Sequence, residues 1–136
     1  MDLKTLSVDT KKQTDGVWIQ HDEKTSFLIA RMANPRFQER FQKMLQPYKQ
    51  KFDAGKLSSE KQVEIMCVCM SETILLGWEG LHDNGKDIPY SKEKAYEILI
   101  AEGNDEFRDL ILSYAQDNEQ FRRNKLEASI KNLKTG

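Results

Sequence analysis

Apolar residues recur at one spacing after Pro35: Phe41, Met44, Leu45, Tyr48 and Phe52 follow Phe37 at 4, 7, 8, 11 and 15 residues. A 3.6-residue period lines them up on one face, so the stretch predicts an amphipathic helix. Asn34-Pro35 marks its start, a capping side chain followed by proline at the first helical position. Pro47 lies inside the stripe and clashes with the carbonyl of Lys43, so a kink or break is expected there, and Gly55 ends the element.

From Glu60 to Leu76 no turn residue interrupts the chain. "VEIMCVCM" alone reads as a strand, but the stretch is too long for one. Val63, Met66, Cys67, Met70, Ile74 and Gly77 form one stripe, while Ile65, Val68 and Leu76 face elsewhere. A helix apolar nearly all round is a central helix. Ser58 or Ser59 caps it, with Glu60 and Glu64 suited to its positive end. Ser91 starts a third helix with Ala95, Ile98 and Leu99 inward and Gly103 as its stop. Asn104 or Asp105 starts the last, along Phe107, Leu110, Ile111 and Tyr114. The stripe falters at "QDNEQ" and resumes off register at Leu126, Ile130 and Leu133, as in a helix continuing beyond the globule or a second one after a break.

Upstream, VWIQ (17–20) and SFLIARM (26–32) flank a short polar loop and read as a β-hairpin over 17–32. An isolated hairpin is marginal in water, so it must pack on helices or pair with a neighbour's strand. Residues 1–15 are polar and aperiodic, a flexible arm that orders on contact. The expected fold is mainly α: a compact domain of roughly four to five helices over 16–118 with a small N-terminal β-hairpin. Residues 119–136 form an extended C-terminal helix free to project from it.

At 136 residues the chain is about one domain. With 38% apolar and 32% charged residues it reads as charge-coated, and its longest apolar run, Ile65 to Met70, is too short to span a membrane. The first sixteen residues hold no apolar run of the secretory kind. Cys67 and Cys69 would point about 200° apart on a helix and cannot pair there; in "IMCVCM" they read as small core hydrophobes. Charge is segregated. Residues 34–61 carry seven Lys/Arg against three Asp/Glu, 62–119 carry four against thirteen, and 120–136 five against one. Such a chain satisfies itself within one fold or pairs head to tail with copies of itself.

Candidate chemistry is sparse. With Asp83 as the first position of a calcium loop, Gly85 falls at the third and Lys94 at the twelfth, and the match fails; "HDNGKD" is better read as a tight turn. His21 and His82 lack nearby partners at zinc spacings, and no nucleophile elbow or Gly-rich phosphate loop is present. No enzyme activity, metal or cofactor is expected. "FRRNK" (121–125) with Lys131 and Lys134 gives a basic end, which equally complements a helix C-terminus, so no nucleic-acid partner is expected either. The aromatic residues are more informative: Trp78 reads as a core anchor, whereas Trp18 on a hairpin suits the core and an interface alike.

Three stretches together carry a resemblance: "GVWIQHDEKTSFLIARMANPRFQ" (16–38), "LLGWEGLHDNGKDIPYSKEKAYEIL" (75–99) and "FRRNKLEASIKNLKTG" (121–136). The combination of a short hairpin, R-x-x-N-P-x-F, and W-x-G-L-x-D-x-G leading to Y-S-x-E resembles tail assembly chaperones of long-tailed, siphovirus-type bacteriophages and their prophages. That resemblance implies a small, mostly helical, oligomerising protein without catalytic residues in the host bacterial cytoplasm. Its implied partner is the tape-measure protein, held while the tail tube polymerises, with the major tail tube protein as a further one. It also implies absence from the finished virion and, in many members, a longer form made by ribosomal frameshifting near the end of the short one. Trp78, Gly80, Asp83, Gly85, Tyr90 and Ser91 match the family's loop and look architectural. Trp18, Phe27, Phe121, Arg122, Leu126 and Ile130 are the candidate interface. The rival classes are a head–tail connector or other tail component, and a helical DNA-binding phage regulator.

Overall fold

The computed structural model describes residues 1–122. In chain order the elements are α1 (Thr10–Asp15), β1 (Val17–Gln20), β2 (Ser26–Ile29), α2 (Pro35–Leu45), α3 (Lys49–Asp53), α4 (Ser59–Thr73), β3 (Leu75–Glu79), β4 (His82–Asp83), β5 (Lys86–Asp87), α5 (Lys92–Ile100) and α6 (Asp105–Gln116). Short 3-10 turns occupy Leu3–Thr5, Gln46–Tyr48 and Asn118–Phe121.

The fold is mixed α and β, which corrects the mainly α expectation. The hairpin is two-thirds of a three-stranded antiparallel sheet in the order β1-β2-β3, and β4 and β5 form a second, two-stranded one. The missed element is β3. The central helix stops at Thr73, and the residues expected to extend it to Leu76 instead enter the strand on β2. Phe27 lies opposite Trp78, Leu28 opposite Gly77 and Ser26 opposite Glu79. Length and the absence of a turn residue favoured one long helix, but partner strand β2 decides the matter, because a strand's stability comes from its cross-strand neighbours. The hand-over is visible in the hydrogen bonds. Thr73 Oγ1 donates back to the Cys69 carbonyl at 2.7 Å, and the next carbonyl, of Ile74, accepts from the Ala30 amide at 2.9 Å. A register shift between Leu28 and Ile29 then sets Ile29 opposite Leu75.

Alternation sorts the sheet's faces. Ile19, Phe27, Ile29, Leu75 and Trp78 are buried on the inner side, against Ile65, Cys69 and Met70 of α4, Leu99 of α5 and Ile111 of α6. Helix α4 packs on α2, α5 and the sheet at once, which is why it is apolar nearly all round. Both cysteines are buried in this core. Burial raises both thiols, Cys69 to about 11. A thiolate-directed reagent at pH 8 is therefore expected to label neither side chain in the folded chain and both in urea; rapid labelling of the native protein would contradict this packing.

Helix α2 begins where the sequence says. Asn34 Oδ1 accepts the Phe37 amide at 3.0 Å and Pro35 follows it. At Pro47 the helix breaks into the 3-10 turn and resumes as α3. Arg40 of α2 meets Glu72 of α4 at 2.6 Å, with both side chains more than a third exposed, so the pair contributes under about 1 kcal/mol.

The two ends of the described chain meet each other. The second half of the N-terminal arm is ordered against the body: the Asp9 amide bonds the Phe121 carbonyl, Val8 bridges Arg122, and the Arg31 amide bonds the Gln13 carbonyl. The 3-10 turn Asn118–Phe121 overlaps the first residues of the C-terminal helix expected over 119–136, and Arg122 lies in that bridge. Leu126 and Ile130 lie outside the described residues.

Candidate interaction surface

The corner from β3 to α5 is built by local chemistry. Asn84 and Gly85 take φ of 51° and 78°, the pair of positive values that a two-residue hairpin turn between β4 and β5 demands and that Asn-Gly supplies cheaply. His82 spans this hairpin, with Nδ1 2.8 Å from the Gly80 carbonyl and Nε2 2.7 Å from Asp87 Oδ1. Asp83 pairs with Lys86 across the turn as part of the ladder. Trp78 is buried, donates Nε1–H to the Ile88 carbonyl at 2.6 Å and meets Tyr90 edge to face at 4.8 Å. The Tyr90 hydroxyl, raised above its ordinary pKa by burial, donates to the Leu75 carbonyl at 2.7 Å. Ser91 Oγ then accepts the Lys94 amide and opens α5. These residues fold the chain back over β3.

Gly80 joins this corner to the first hairpin. In the β1–β2 loop, Asp22 Oδ1 accepts the amides of Lys24 and Thr25, and these bonds hold its carboxyl below the usual range, led by the Lys24 amide. The loop then packs its Lys24 carbonyl directly on Gly80, at φ +76, and Thr25 Oγ1 bonds the Gly80 carbonyl at 3.3 Å.

The sequence-derived interface residues separate. Phe27 is 1% exposed and Phe121 is fully buried, so neither side chain is available to a partner; the alternation that turns Trp18 outward turns Phe27 inward. Trp18, on edge strand β1, is 53% exposed. Its ring rests beside Gly77, with a Cβ at that glycine 3.4 Å from Trp18 Cη2 and 3.3 Å from Leu28 Cβ. The outer face of the sheet thus carries an aromatic platform laid across Leu28 and Gly77. Arg122 is half-buried at the Val8 bridge.

Sequence reasoning missed a second apolar surface. The periodic stripe puts Phe52 on the buried face of α2, but the break at Pro47 starts α3 on a new register and leaves the residue 39% exposed. The residue lines two hollows. One, of about 240 Å³, is lined by Phe41, Leu45, Leu57, Ile65 and Met66; the other, of about 470 Å³, by Gln42, Leu45, Lys49 and Asp53. The proline inside the stripe was the signal available.

Among the described residues no cluster of His, Cys, Asp and Glu is placed to hold a metal ion, and no helix is long and apolar enough to cross a membrane. The family model for YdaY prophage proteins matches residues 32–132, about three-quarters of the chain. The chain belongs to that family. The matched stretch takes in the corner, α2 to α6 and the Phe52 hollows, and starts after β1 and β2. The chain is therefore a phage or prophage protein. No curated protein and no solved structure matches it.

Proposed function

We propose that this prophage protein is a non-enzymatic chaperone of tail assembly, acting in the host cytoplasm and absent from the finished virion. Its client is an apolar helix of the tape-measure protein, shielded from aggregation while the tail tube, the second partner, polymerises around it. Copies of the chain associate with one another and with any longer frameshifted form. The observation that carries this is Trp18: a large, rigid, half-exposed ring on a sheet edge is an expensive feature for a chain to leave in water and a common anchor for a protein partner. Membership in a prophage family and the resemblance of the hairpin and corner to tail assembly chaperones support it.

The test is co-expression with the tape-measure protein of the same prophage. The client is expected to stay in the soluble fraction and co-purify with the chain. Trp18→Ser is expected to lower the co-purified client several-fold, at a cost to the fold of only about 1–2 kcal/mol, because the ring is half in water already. A tape-measure protein equally insoluble with and without the chain would sink the proposal. Recovery of the chain from purified particles would favour a structural tail component instead.

A further inference from the structure

The five large apolar side chains that stand exposed among the described residues fall in three places: Trp18, Phe52, and the first six residues. There Leu3 is 77% and Leu6 49% exposed. Leu3 opens the 3-10 turn Leu3–Thr5 and Leu6 caps its end, three residues on, a spacing at which side chains on such a turn eclipse one another. They form one two-pronged face. The turn is held by its own bonds. Asp2 Oδ1 accepts the Lys4 amide at 3.0 Å, Thr5 Oγ1 donates to the Asp2 carbonyl at 2.7 Å, and Ser7 Oγ donates to the Leu3 carbonyl at 3.1 Å. The prongs are thus preorganised without any need of the chain's own body, which lowers the cost of docking elsewhere.

The Phe52 surface has the complementary form. Phe52 lines two hollows, and one of these is the more apolar. Charge agrees as well as shape. The prongs are flanked by Asp2 and Lys4, and the larger hollow by Lys49 and Asp53. None of these four takes part in an ion pair among the described residues. Docking would pair Asp2 with Lys49 and Lys4 with Asp53. The arm is anchored at its base, where the Asp9 amide bonds the Phe121 carbonyl, and in the single chain its prongs remain in water.

We infer that the Leu3–Leu6 turn of one copy docks on the Phe52 surface of a second copy, one leucine in each hollow. This rests on the self-association in the proposed function and names its surface; it is independent of how the client is bound. Given reciprocally, the exchange makes a closed pair in which each copy lends an arm and receives one.

The experiment is light scattering after size-exclusion chromatography, over a concentration series, on the full chain and its variants. The wild-type chain is expected to be a concentration-dependent dimer or larger. Leu3→Ser/Leu6→Ser is expected to raise the concentration of half-association by at least about tenfold, and Phe52→Ser to do the same. Unchanged circular dichroism of the arm variant excludes unfolding as the cause, since both leucines are solvent-facing. The discriminating sample is a 1:1 mixture of the two variants. One supplies an arm and the other a surface, so a heterodimer held by a single contact is expected where each variant alone is monomeric. A wild-type chain that is monomeric at every concentration overturns the inference, as does an arm variant of wild-type mass or a mixture that stays monomeric. Failure of the tape-measure co-expression touches none of these outcomes.

Discussion

Gly80→Ala is expected to lose about 3–5 kcal/mol of folding stability, a large fraction of what a domain of this size possesses. Two costs combine. At φ +76 an alanine carries a left-handed penalty of about 1–2 kcal/mol. The greater cost is steric: a Cβ at this position would lie 1.8 Å from the Lys24 carbonyl oxygen. That atom is backbone, and its loop is fixed by Asp22 and by β1 pairing with β2, so it cannot rotate aside as a side chain would. Relief requires the hairpin to lift from the corner, which breaks the Thr25 bond to the Gly80 carbonyl and loosens β2 on β3. Gly85→Ala is the control, because Gly85 has a similar φ of 78° but no atom within 4 Å of its added Cβ. Urea unfolding of both variants should give Gly85→Ala only the conformational cost, about 1–2 kcal/mol. Equal losses at the two glycines would mean that the close approach of Lys24 to Gly80 is wrong.

The contrast between these glycines also describes what could be read from the sequence. Gly85 belongs to an Asn-Gly pair whose turn chemistry is complete within two residues. Asn34-Pro35, Ser58, Pro47 and Ser91 are of the same kind, and each does in the structure what its local chemistry dictates. Gly80 has no such local signature, since the atom that requires it belongs to Lys24 on another hairpin. The same distance hid β3. Leu75–Glu79 continues an apolar helical pattern, and only the partner strand β2 makes it extended. In the candidate interface the strand period separates Trp18 from Phe27. Ile19 inward with Trp18 and Gln20 outward fixes the pairing Ile19–Phe27, and so the burial of Phe27. Phe121 gave no warning, because its polar neighbours Glu119 and Gln120 and the basic Arg122 describe a surface while its ring closes the core.

Asn34 is the second position at which a single atom change is expected to cost most. It is the cap read from the sequence, yet it is fully buried, and its amide does more than cap. Nδ2 donates to the Arg31 carbonyl at 2.6 Å and to the Thr73 carbonyl at 3.2 Å. It therefore ties the entry of α2 to the point where α4 hands over to β3. Asn34→Ala removes a cap worth about 1 kcal/mol and leaves a buried carbonyl and amide without their partner, at about 1–3 kcal/mol more. Asn34→Asp separates these roles. A carboxylate oxygen still accepts the Phe37 amide, but the other oxygen replaces a donor with an acceptor facing two carbonyls at a fully buried position. Burial and those carbonyls oppose ionisation, so the folded-state pKa of the introduced carboxyl should lie above its unfolded value of about 3.9. Between the two values the folded chain binds the extra proton, and stability relative to wild type falls as pH rises through that window. Asn34→Asp is accordingly expected to be close to wild type near pH 4, where a protonated carboxyl can donate to one carbonyl, and worse than Asn34→Ala at pH 7. Urea midpoints for the three chains at the two pH values decide it. A pH-independent deficit for Asn34→Asp would mean that the side chain reaches water, and that the junction of α2, α4 and β3 is held by packing rather than by this amide.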